Sequence, residues 1–197
     1  MSSEIKQEIA ATAARLVVEE GLEFGTAKRR ALRELGLSTR QALPDNDMLE
    51  KEVFDYVQLF CADTQPQELL ALRRLALVWM QRLQTFRPYL SGAVWRGTAT
   101  RLSDIHIQLF CDDSKQAELM LLDKGIRFEV NAVNGFRGEV VDALSIHSRC
   151  PTLKEDIGVH LMIYDYDDLR GALQPDSQGR PMRGDADALR QLLDNTA

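Results

Sequence analysis

Asp104, Ile105 and His106 are the residues in this chain whose types and spacing could do chemistry. Side chains alternate across a strand, so residues i and i+2 share a face. In Asp104-Ile-His-Ile-Gln-Leu-Phe110 that rule puts Asp104, His106 and Gln108 on one side and Ile105, Ile107 and Leu109 on the other. The apolar side belongs in a core. Two oxygen ligands two residues apart on such a strand can hold divalent cations beside a triphosphate, where the metals polarise phosphate and stabilise the attacking and leaving oxygens. Just upstream, Gly92 lets the backbone come close to a phosphate without a Cβ in the way, and oriented backbone amides there can receive an anion.

The run Ser91-Gly92-Ala93, a spacer from Val94 to Ser103, then Asp104-Ile105-His106 resembles the signature of the nucleotidyltransferase superfamily, the fold of DNA polymerase beta and the small bacterial nucleotidyltransferases. Gly92 and Asp104 match that signature, and Arg96, Gly97 and Ser103 fall where small bacterial members often carry the same residues. The resemblance covers roughly residues 68–165. It implies transfer of a nucleoside monophosphate from a nucleoside triphosphate to a hydroxyl acceptor, with Mg or Mn as cofactor. By the same resemblance, Gly92, Ala93, Arg96 and Ser103 are the nucleotide-binding positions. Asp104, His106 and Glu129 are the catalytic and metal-binding ones.

Two departures carry consequences. Ala93 replaces the small hydroxyl residue that would donate to a phosphate, and His106 replaces the second carboxylate. Magnesium prefers hard oxygen ligands, whereas imidazole suits zinc, nickel, copper or iron. Either the chain is a catalytically silent relative, a pseudoenzyme, or His106 has another part, as an atypical ligand or a general base. The third carboxylate of the family lies on a later strand, after a helix. Asp113–Lys124 reads as that helix with Gly125 as its stop, and Ile126-Arg-Phe-Glu-Val130 as that strand, which makes Glu129 the candidate.

The elements that must position these residues suit an α+β fold: an N-terminal helical region over 1–64, a small mixed sheet over 65–173, and a loop with a short terminal helix over 174–197. Four helices precede the signature. The first is capped by Ser3 and ended by Gly21. The second runs from about Thr26 to Leu35, and the third carries the stripe Leu49, Val53, Tyr56 and Phe60. The fourth begins at Pro66, repeats Leu69, Leu72, Ala76, Trp79, Leu83 and Phe86 at helical spacing, and is expected to pack on the sheet. Glu139–His147 reads as a strand or a helix turning into one, Ile157–Tyr164 as a strand, Gln174–Gly184 as a flexible loop and Ala186–Leu193 as a helix.

Composition sets the outer bounds. Hydrophobic residues make up 45% and charged residues 27%, ordinary values for a globular domain, and a net charge of −6 argues against broad nucleic-acid binding. The start is polar and charged, without the pattern of a signal peptide, and no uncharged run has the length of a membrane span. Cys61, Cys111 and Cys150 form no Cys-x-x-Cys unit, so a reduced, cytoplasmic setting is expected. Lys28, Arg29, Arg30 and Arg33 read as a solvated helix face or as a contact for RNA, and the helical region is a possible surface for a protein or RNA partner. His147, Cys150 and His160 match no zinc spacing, and His160 reads as a strand-face histidine without a ligand role. Trp79 and Trp95 read as core aromatics.

Overall fold

A computed structural model describes residues 2–195 and divides the chain into two compact units. The first is residues 1–67 together with Thr100–Leu102, and the second is Glu68–Ala99 with Ser103–Ala197.

The first unit is helical. It contains α1 (Ser2–Glu20), α2 (Phe24–Glu34) and α3 (Asn46–Phe60), and the start of α4 (Gln65–Arg82), which continues into the second unit. Gly21 ends α1 in the left-handed region at φ +68°, where a residue with a Cβ is strained. Asp45 starts α3 by accepting the Met48 N–H on its side chain at 2.8 Å. Ile9, Ala13, Leu16, Ala27, Ala31, Leu49, Val53 and Val57 form the core. Val57 fills the place that the apolar stripe gives to Phe60, which is 65% exposed. The basic cluster is not a uniform solvated face. Lys28 is buried and donates to Asn46 Oδ1 at 2.7 Å, and Arg30 pairs with Glu20 and Glu34, while Arg29 and Arg33 are exposed.

The second unit is α+β. After α4 and a 3-10 turn at Gln84–Phe86 come β1 (Tyr89–Ser91), α5 (Gly92–Arg96), β2 (Ile105–Cys111), α6 (Lys115–Asp123), β3 (Glu129–Asn134), β4 (Val140–Cys150) and β5 (Glu155–Asp165). A 3-10 turn at Tyr166–Asp168, α7 (Leu169–Ala172), β6 (Arg183–Gly184) and α8 (Ala186–Asp194) complete it. The strands form one mixed sheet in the order β3-β4-β5-β2-β1-β6. Only β2 and β5 run parallel, and the other neighbours are antiparallel.

One face of the sheet builds the main core. Leu90, Ile105, Ile107, Leu109, Leu144, Ile146, Val159, Leu161 and Ile163 meet Leu72, Ala76 and Trp79 of α4, Leu83 just after it, Ala117 and Leu121 of α6, and Leu189 of α8. The fourth helix therefore packs on the sheet as its apolar spacing requires. Each Leu or Ile so buried contributes about 1.5–3 kcal/mol. The opposite face holds a smaller cluster of Phe110, Tyr164 and Ala172 at one end and a polar row at the other. Trp79 and Trp95 are both buried, as expected of core aromatics.

The structure moves four boundaries. The strand after α6 begins at Glu129 rather than Ile126, because Ile126 and Phe128 are already spent packing on the core from the preceding loop. The segment from Val140 is a strand throughout, running on to Cys150. The stretch that begins at Gly92 after β1 closes as the one-and-a-half-turn helix α5. Arg183 and Gly184, at the end of the Gln174–Gly184 loop, pair with β1 as an edge strand.

Candidate functional site

The polar row is set by strand register. His106 on β2 lies opposite His160 on β5, His160 opposite Ser145 on β4, and Ser145 opposite Glu129 on β3. On the other side His106 lies opposite Ser91, and Ser91 opposite Arg183. Asp104 sits immediately before β2 and turns its carboxylate toward β5.

That carboxylate is held from two directions. Its Oδ2 lies 2.9 Å from His160 Nε2, and it accepts a hydrogen bond from the Gly158 backbone N–H. A Cβ at Gly158 would come within 2.5 Å of Asp104 Oδ1, so the missing side chain is what lets the carboxylate lie on β5. The His160 hydrogen bond, opposed by burial and helped by the electrostatic influence of His160 and His106, holds the Asp104 pKa below its ordinary value.

His160 is bonded at both ring nitrogens, because Ser145 Oγ lies 2.9 Å from its Nδ1. Asp104 is ionised near neutrality and only accepts, so Nε2 carries the proton of a neutral His160. Nδ1 is then the acceptor and the Ser145 hydroxyl the donor. Asn131 Nδ2 donates to the same hydroxyl at 3.3 Å. The His106 ring lies beside His160 with centroids 5.2 Å apart.

Gly92 is brought to the same place. It adopts φ +71°, and a Cβ there would lie 3.5 Å from His106 Nδ1. Ala93 follows it in α5, and Arg96 is half-buried in the last turn of that helix. The helix is held by two devices. Arg73, itself buried, donates to the carbonyls of Val94 and Trp95 at 3.0 Å each. The Trp95 ring lies directly on Gly184 and its Nε1 donates to the Pro181 carbonyl. Ser103 is half-buried, one residue before Asp104.

Glu129 is not brought to Asp104. It is exposed on the edge strand β3, with β4 and β5 between it and β2. At about 4.8 Å per strand, its backbone lies roughly 14 Å from that of His106, too far for one metal ion. The position beside β2 belongs to His160. Among the described residues, no three His, Cys, Asp or Glu side chains are placed to hold a metal ion. The residues present therefore do not fit the Mg or Mn pair that the resemblance implies: one carboxylate, already engaged by an imidazole, stands where three are needed.

Ser145 and His160 escape a reading of the sequence alone. Each is a polar residue in an alternating strand, between Leu144 and Ile146 or between Val159 and Leu161. Only the register of β4 on β5 makes them partners. Ser145 also lines an open cleft of about 610 Å³, together with Leu122, Ile126, Phe128, Glu129 and His147.

No protein-family model matches the sequence, and no curated protein matches it. The fold and the row of side chains on the sheet therefore carry the functional argument.

Proposed function

We propose that this protein is a nucleotidyltransferase-like module that has lost metal-dependent transfer and keeps a nucleotide-binding role. The observation that carries the reading is His160, an imidazole bonded to Asp104 on the strand beside β2, where a metal-holding site needs a carboxylate. In favour of a retained binding site, the Gly92 turn at φ +71° lies against His106 and is locked by Arg73 and Trp95.

Calorimetry with each of the four ribonucleoside triphosphates tests this, in EDTA and again with magnesium or manganese, beside a transfer assay with α-labelled nucleotide. Saturable binding that persists in EDTA, with no label transferred, is the expected result. Metal-dependent transfer abolished by Asp104→Ala would establish a working transferase and overturn the loss of catalysis. No binding in any condition would remove the nucleotide from the account.

A second reading, a non-catalytic module that uses its helical unit as a partner surface, has its own support. Phe54, Leu59 and Phe60 on α3 are 50%, 73% and 65% exposed, apolar surface that a protein partner would cover more readily than RNA. Among the described residues no helix is long and apolar enough to cross a membrane. Cys61, Cys111 and Cys150 are free thiols, which suits the cytoplasmic setting we propose.

A further inference from the structure

We propose that Ser145 is a covalent nucleophile, with His160 as its general base and Asp104 as the positioning residue of that base, acting on carboxylic esters with a small apolar acyl group. The geometry is a continuous line of two hydrogen bonds, Ser145 Oγ to His160 Nδ1 at 2.9 Å and His160 Nε2 to Asp104 Oδ2 at 2.9 Å. A hydroxyl is a weak nucleophile until an adjacent base takes its proton and a third group orients that base. All three parts are present, on β4, β5 and the start of β2, and the tautomer fixed by Asp104 is the one that leaves Nδ1 free to accept.

The substrate class follows from what Ser145 faces. It lines an open cleft with the apolar Leu122, Ile126 and Phe128 and the polar Arg127, Glu129 and His147. The apolar members of that lining suit a short alkyl or aryl acyl chain. The Asn131 amide, 3.3 Å from the hydroxyl, supplies an N–H donor beside the place where an oxyanion develops.

The chemistry balances with water alone. Ser145 Oγ bonds the acyl carbon while its proton passes to His160 Nδ1. The ester C–O bond breaks and the leaving oxygen takes that proton, releasing the alcohol and leaving acyl-Ser145. Water then gives a proton to His160, its oxygen bonds the acyl carbon, and Ser145 Oγ departs with the proton. The net reaction converts ester and water to acid and alcohol, with no oxidant, reductant or metal.

The test uses the full chain and a biotinylated fluorophosphonate, in which the Oγ–P bond forms, the P–F bond breaks and fluoride leaves. Tryptic cleavage after Arg137 and Arg149 yields a peptide that holds both Ser145 and Ser148, so fragment ions must place the label. Label on Ser145 is expected, lost in Ser145→Ala and slowed about 100-fold or more in His160→Gln. Hydrolysis of p-nitrophenyl butyrate should fall with the same variants. Absence of label on folded wild type, label on Ser148, or an unchanged rate in His160→Gln overturns the proposal.

If His160→Gln fails to fold by circular dichroism, Asp104→Asn takes its place. That variant should slow labelling and shift the ¹⁵N resonances of His160 away from the Nε2–H tautomer. Unchanged resonances would remove the positioning role. The experiment contains no nucleotide, so its failure and that of the nucleotide reading are separate results.

Discussion

Replacing Arg73 by Met should destabilise the mixed-sheet unit by about 3 kcal/mol. Met keeps most of the aliphatic volume and removes the donors. The buried carbonyls of Val94 and Trp95, at the end of α5, then lose the guanidinium hydrogen bonds of 3.0 Å each. A buried polar group left unsatisfied costs about 1–3 kcal/mol, so two cost about 2–6. Part of this is offset, because burial pushes the Arg73 pKa down, a sign that the charge itself is disfavoured there. The net is about 3 kcal/mol, a large share of the 5–15 kcal/mol typical of a domain. Both tryptophans of the chain, Trp79 and Trp95, lie in this unit, so their fluorescence follows its unfolding alone. With a urea slope of about 2 kcal/mol/M, the midpoint should fall by about 1.5 M. A fall under about 0.5 M would show that Arg73 is not what satisfies α5, and would remove the account of how the Gly92 turn is held.

Gly158→Ala should separate site geometry from stability. Its Cβ would meet the Asp104 carboxylate at 2.5 Å and displace it from His160, while loss of a half-exposed pair and gain of backbone rigidity nearly cancel, leaving stability within about 1 kcal/mol. The His160 ¹⁵N shifts should match those of Asp104→Asn, and wild-type shifts would count against the contact. Gly184→Ala puts a Cβ into the Trp95 ring. We expect a loss of about 1–3 kcal/mol and a change in tryptophan emission, and an unaltered emission spectrum would contradict the packing. Burial and the Glu19 carboxylate raise the Tyr56 pKa to about 12. The fold favours the neutral phenol, so this stability is complete below the unfolded value of about 10 and is lost as pH rises from there toward 12. Absorbance titration near 295 nm should show the last tyrosine to ionise with rising pH disappear in Tyr56→Phe, and a persistent transition near pH 12 would assign it elsewhere.

What the chain discloses on its own is local. Apolar spacing places α1 to α4, and strict alternation places β2 and β5, because each buries one face whatever its neighbours are. The turn at Gly92 and the carboxylate at Asp104 are legible for the same reason. The remainder of the site depends on which strand lies beside which. Glu129 follows α6 in sequence, where the resemblance expects the third carboxylate. The hairpin of β3 and β4 sends that strand to the edge, and the later β5 takes the place beside β2. Ser145 and His160 give no separate signal, since an i+15 relation across a hairpin turn has no fixed spacing in sequence. The slip of the β3 start has a simpler cause: Ile126 and Phe128 are apolar because they pack as loop residues, not because they alternate in a strand.

The parallel pairing of β2 with β5 also bears on the order in which the molecule assembles. β3, β4 and β5 are sequential antiparallel neighbours, joined by short connections and closed at little entropic cost. Ile105 pairs with Val159 across a stretch of chain that contains that whole hairpin array. Contacts so distant in sequence form slowly. Ser145 and His160 are therefore expected to meet early, inside one hairpin, and Asp104 to join them when the sheet closes. On that expectation the carboxylate that orients His160 is the last member to arrive, and the complete Asp104–His160–Ser145 line would mark the closure of the mixed sheet.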